Sequence, residues 1–151
     1  MAKRAVLVAM DGSSQATFAF EWFVKNIKND GDIVYLAYCP QFDSLTRSSS
    51  ALMAGSPDYM SSMLDEEENC VKRLIQSFEE ILKIKSINGR VLRLSGSNPG
   101  HAIINAADEH HVQLIVTGCR GVGRIRRTLL GSVSQYITHH SHVPVLVCRH
   151  T

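Results

Sequence analysis

Five short apolar runs, rich in β-branched residues, recur along the chain at 4–10 (RAVLVAM), 32–39 (DIVYLAYC), 90–96 (RVLRLSG), 112–118 (VQLIVTG) and 143–148 (VPVLVC). Each has the length and composition of a strand, and most are apolar on consecutive residues, as expected when both faces are covered. Between them the apolar positions recur at three- and four-residue steps. Ala16, Phe20, Phe23, Val24 and Ile27 share one helical face, and Asn-Asp-Gly at 29–31 ends that helix. Met60, Met63, Leu64, Val71, Leu74, Ile75, Phe78 and Leu82 mark a second helix, entered near Asp58. Glu67 and Glu68 interrupt this stripe, so its first turns are expected to be solvated. A third helix opens with Asn98-Pro99, an N-cap followed by proline at the first helical position, and closes near His110 and His111. A fourth begins at Gly131-Ser132 and runs toward His140.

Strict alternation of strand and helix predicts an α/β fold: one open, parallel five-stranded sheet with helices on both faces. Arg90 and Arg93 charge the third run, which marks it as a sheet edge. The serine-rich segment at about 41–57 reads as a mobile loop. With 151 residues there is room for a single domain spanning 1–151.

Charge narrows the choice of partners. Sixteen Lys and Arg against fourteen Asp and Glu give a net charge of +2, too little to draw the whole molecule to nucleic acid or a membrane. No apolar run is long enough to span a bilayer, and Asp11 breaks the first run too early for a secretion signal. The four cysteines, Cys39, Cys70, Cys119 and Cys148, have neither C-x-x-C nor zinc-ligand spacing. They are expected to be reduced in the cytoplasm, as small core or loop residues, with Cys119 the one exception worth considering because Arg120 adjoins it.

The densest chemistry lies at 118–132, GCRGVGRIRRTLLGS. A glycine-rich connection feeding a helix N-terminus exposes backbone N–H groups at the positive end of the helix dipole, where phosphate binds. Gly118 and Gly121 allow close backbone approach, Gly131 clears space at the helix start, and Ser132 and Ser134 add hydroxyl donors. Arg120, Arg124, Arg126 and Arg127 offer charge. The alternative is a long solvated βα connection with a basic surface. Neither the P-loop pattern nor the full dinucleotide fingerprint is present. If the first and fourth strands flank the point where the winding reverses, Asp11 and the Gly118 loop share one crevice.

The spacing Gly118-x-x-Gly121, nine residues, then Gly131-Ser132 resembles the ATP-binding motif of the universal stress protein family. VLVAMDGS, GSNPGHAI, LIVTGCRG and GSVSQYITHHSHVPVLV resemble that family's successive blocks in order, so the resemblance spans the chain. It implies a flavodoxin-like, Rossmann-like sheet of order 3-2-1-4-5, with ATP, AMP or ADP as a ligand or switch in a stress response. It also implies Asp11 near the nucleoside and a backbone contact to adenine from Tyr38. The phosphate loop would comprise Gly118, Gly121, Gly131, Ser132, Val133 and Ser134, with Arg120 and Arg124 adding charge and Mg2+ or Mn2+ held by the phosphates. Where the family commonly ends its second strand with a His-Val type pair, this chain has Ala37-Tyr38, which alters the base pocket.

Other chemistries are weaker. His139 and His140 diverge on a helix and read as cations at its C-terminus, not as metal ligands. Ser132 has no nucleophile elbow around it. The arginine cluster lacks the interleaved aromatics of a nucleic-acid groove. A slow ATPase or phosphotransferase would need a positioned base and metal-held phosphates, and neither is evident in the pattern. A nucleotide-free interaction module with the same fold is the remaining alternative. The last run, from Val143 to Cys148, would lie at a sheet edge and is expected to pair with its copy in a homodimer.

Overall fold

The computed structural model describes residues 3–41, 57–119 and 131–149, apart from the side chains of 57–60. Residues 42–56 of the loop expected at about 41–57 lie outside the described residues, as do Arg120, Gly121, Arg124, Arg126 and Arg127. The elements follow in the order β1 (Ala5–Met10), α1 (Ser14–Asn26), β2 (Ile33–Tyr38), α2 (Pro57–Ile84), β3 (Gly89–Arg93), α3 (Pro99–Glu109), β4 (Leu114–Cys119), α4 (Ser132–His140) and β5 (Val145–Arg149). All strand pairs are parallel, in the order β3-β2-β1-β4-β5.

The central strand explains why its sequence is apolar without interruption. Val6, Val8 and Met10 point into one core layer with Phe20 and Phe23 of α1 and Phe78 and Leu82 of α2. Leu7 and Ala9 point into the other, with Ile103, Ala106 and Ala107 of α3 and Ile137 of α4. Val6, Leu7 and Val8 are completely buried, so no position on this strand is left for a polar residue.

The edges carry the charge. β3 is an outer strand, as its arginines indicate, and Arg93 forms a two-pronged ion pair with Glu68 of α2, both contacts at 2.7 Å. Glu68 thus interrupts the apolar stripe to meet β3, and the guanidinium holds its carboxyl below the ordinary range. The outer turns of α2 are largely exposed, and Val71 is the first fully buried residue of its described part.

The fourth run was expected to start its strand at Val112, but β4 begins at Leu114. His111 takes a left-handed conformation (φ 50°), and the Val112 N–H donates to the Ala107 carbonyl at 2.9 Å. Val112 is therefore the buried anchor of the turn that closes α3. A similar shift moves β5 to Val145, because Pro144 has no N–H and supplies its carbonyl to Ile115 instead. The cysteines form no disulfides; Cys39, Cys119 and Cys148 are buried and Cys70 is exposed. Among the described residues, no helix is long and apolar enough to cross a membrane.

Candidate functional site

The winding reverses between β1 and β4, and at the carboxyl ends of these strands lies a cleft of about 650 Å³, open to solvent. This is where open α/β sheets hold ligands. Its first wall is the turn from β1 into α1. Gly12 has φ 80°, a conformation that favours glycine, and it faces the Leu74 side chain of α2. Asp11 accepts a hydrogen bond from the Ser13 N–H (2.9 Å), and Ser13 in turn caps α1 by accepting from the Ala16 N–H (3.2 Å). The exposed Asp11 carboxylate is thus held at the cleft's edge.

The opposite wall is the start of α4. α1 and α3 are capped by side chains, Ser13 and Asn98, whereas α4 opens on Gly131 with no side-chain cap. The first hydrogen bond of α4 runs from the Gln135 N–H to the Gly131 carbonyl (2.9 Å). The N–H groups of Ser132, Val133 and Ser134 precede it and have no partner within the helix. All three residues line the cleft, so the positive end of α4 faces it.

Ser134 has a role that the residue pattern does not show. It is buried, and its hydroxyl donates to the Gly118 carbonyl at 2.6 Å, with Thr117 Oγ1 3.3 Å away. The proton assigned above to a phosphate is used to fasten α4 to β4, leaving the backbone N–H as the donor Ser134 offers. Gly118 also needs a different explanation. A Cβ there would lie 2.6 Å from the Gln15 carbonyl oxygen and 2.8 Å from its carbon. The close approach is to the first turn of α1, and both Gly118 and Gln15 line the cleft.

At the β2 end, Tyr38 does not line the cleft. Its carbonyl accepts from the Leu94 N–H (2.8 Å), and its ring packs edge-on against Phe78, 5.9 Å between centroids. Burial, with smaller help from Asp11, pushes its phenol above the ordinary value. The next residues, Cys39 and Gln41, line the cleft instead. Burial raises the Cys39 thiol, which stays protonated and points toward the Gly96 carbonyl at 3.8 Å. The cleft therefore brings together Asp11, Gly118, Gly131, Ser132, Val133 and Ser134. Sequence reasoning missed Cys39, Gln41, Gln15 and Thr117, and also Pro99 and Ile103, which add an apolar wall from α3. Pro99 had a signal only as a helix starter.

Among the described residues, no group of three or more His, Cys, Asp or Glu able to hold an ion occurs. His140 stacks on Tyr136 (4.0 Å between centroids) and donates from Nδ1 to the Tyr136 carbonyl (2.9 Å).

Sheet order and cleft together define a doubly wound α/β protein with a crevice at its topological switch point. The chain belongs to the universal stress protein family, whose model matches residues 3–149. It is similar to universal stress protein YxiE of Bacillus subtilis (strain 168), at 30% identity over 148 residues, covering 95% of this chain and 97% of that protein. The universal stress protein UspA from Lactobacillus plantarum has the same fold, with a TM-score of 0.70 at 23% identity over 99% of this chain and 100% of that one. A family member from Arabidopsis thaliana, solved with AMP bound, matches with a TM-score of 0.70 at 17% identity over 98% of this chain and 92% of that one.

Proposed function

We propose that this protein binds an adenine nucleotide, ATP in the first instance and AMP or ADP as its shorter forms, as a ligand or switch in a cytoplasmic stress response. The observation that carries this reading is the uncapped start of α4, where three backbone N–H groups open onto the cleft at the switch point of the sheet. Phosphate takes those donors. Asp11, on the other side, accepts from the ribose hydroxyls, and Pro99 and Ile103 provide apolar surface for the base. Arg120, Arg124 and the Gly121 turn extend the same phosphate site in this reading. Mg2+ or Mn2+ enters on the phosphates and supplies charge neutralisation there. The AMP-bound relative supports the reading.

The test begins with freshly purified protein, which should release stoichiometric adenine nucleotide on denaturation, identified by mass spectrometry. Gly131 has φ −60° and ψ 158°, which valine also adopts, so Gly131→Val should fold. Its branched side chain would occupy the phosphate position, and calorimetry should show ATP affinity reduced by about a hundredfold or more, roughly 2.7 kcal/mol. Unchanged affinity would rule out this pose.

The reading also includes a homodimer through β5. Among the described residues β5 pairs only with β4, and in this reading its outer edge continues the ladder into a second copy, antiparallel under two-fold symmetry. Val145 packs against the core, whereas Val147 belongs to neither core layer. Val147→Lys should therefore spare the fold while shifting sedimentation toward the monomer. A dimer indifferent to that charge places the contact elsewhere.

A further inference from the structure

Two side chains at the β2 end of the cleft converge on one backbone oxygen. The Gly96 carbonyl lies 3.8 Å from Cys39 Sγ and 3.3 Å from Gln41 Nε2. The same Gln41 nitrogen is 3.2 Å from the Pro40 carbonyl oxygen and 3.5 Å from Cys39 Sγ. Every acceptor surrounds the amide nitrogen, which fixes the orientation of the carboxamide: turned over, Oε1 would face two carbonyl oxygens. Pro40 and Gly96 do not line the cleft, but Gln41 does. What Gln41 leaves for a ligand is Oε1, an acceptor for which no hydrogen bond occurs among the described residues.

The sheet orders the ligand. In the nucleotide reading above, α4 takes the phosphates, and Asp11, at the end of β1, takes the sugar. The exit of β2, one strand further along, is then left for the base. We infer that Gln41 determines base selectivity, its Oε1 accepting from the exocyclic amino group of adenine and repelling the carbonyl that hypoxanthine carries at the same position. This rests on the nucleotide reading above. A site built around one acceptor rejects a base whose matching group is also an acceptor, because both then lose water without gaining a partner.

The test compares ATP with inosine triphosphate by calorimetry on wild type, Gln41→Met and Gln41→Lys, with thermal melts to confirm folding. Wild type should prefer ATP by about tenfold, one hydrogen bond's worth. Gln41→Met should lose that preference by weakening ATP alone. Gln41→Lys keeps a donor for the Gly96 and Pro40 carbonyls but presents no acceptor, and should favour inosine triphosphate. A purely structural role cannot produce that inversion. Wild type without a preference, or variants that retain it, would overturn the inference while leaving the nucleotide reading intact. Loss of both nucleotides from both folded variants would overturn it too, assigning Gln41 to anchoring alone. Wild type binding neither nucleotide would remove the nucleotide reading, and this inference with it.

Discussion

Gly118→Ala is expected to destabilise the protein by about 1–3 kcal/mol, the usual cost of forcing atoms into a packed interior. The new methyl group would stand 2.6 Å from the Gln15 carbonyl oxygen and 3.2 Å from the Ala16 nitrogen. These are backbone atoms in the first turn of α1, and unlike a side chain they cannot rotate aside. α1 must lift from β4, although Ala16, Ala19, Phe20 and Phe23 hold it to the sheet. The Gly118 carbonyl also receives the Ser134 hydroxyl, so movement here reaches the start of α4 and should weaken nucleotide binding. Gly31→Ala is the control, since a Cβ there meets nothing within 4 Å. Urea denaturation of the two variants checks the expectation. A Gly118→Ala midpoint equal to that of Gly31→Ala would show that α1 does not pack as described.

The same glycine shows where sequence reading stops. A glycine at the end of a strand has one appearance in sequence whether its bare face meets a ligand or another backbone, and only the position of α1 decides. Element type is legible because burial on both faces imposes uninterrupted apolar runs, as at Val6 to Val8, and one-faced burial imposes the stripe on α1. The β3 edge is legible from Arg90 and Arg93, because charge is tolerated only where solvent or a counter-ion reaches it. Strand order is not legible from periodicity; it enters through the family resemblance, and the observed order agrees with it. At the site, the helix start at Gly131 and Ser132 follows from local chemistry. The β2 contribution does not. Successive strand residues point to opposite faces, so the Tyr38 ring packs on Phe78 while Cys39 lines the cleft; the resemblance names Tyr38 for a backbone contact, which does not depend on that face. The Tyr38 carbonyl accepts from the Leu94 N–H, a bond between residues far apart in sequence that no local pattern announces.

Far from the cleft, at the other end of the sheet, Arg4→Met is expected to cost about 3 kcal/mol at neutral pH, the scale for stranding one member of a buried ion pair. Asp32 is 2% exposed and accepts from Arg4 twice, Nε to Oδ1 at 3.0 Å and Nη2 to Oδ2 at 2.6 Å. Arg4 Nη2 also reaches the Ile27 carbonyl (3.0 Å), and the Asn29 N–H donates to Asp32 (2.9 Å), so the pair ties the end of α1 to the start of β2. Burial alone would raise the Asp32 carboxyl. The Arg4 hydrogen bonds, the Asn29 N–H and the charges of Arg4 and Lys28 outweigh it and hold the group below its ordinary value. The folded state consequently binds the proton less readily than the unfolded chain. The pair's contribution is complete above about pH 4, the unfolded value, and fades as pH falls through the lower folded value. Without Arg4 the carboxyl loses its largest lowering influence and titrates higher than in the wild type, so the variant loses less stability as pH falls. The stability gap between them should therefore narrow from pH 6 to pH 3. Arg4→Lys, which keeps the charge but loses the fork, should fall between the two. Denaturant titrations across that range provide the check, and a gap that stays constant down to pH 3 would mean that Asp32 does not depend on Arg4 for its charge.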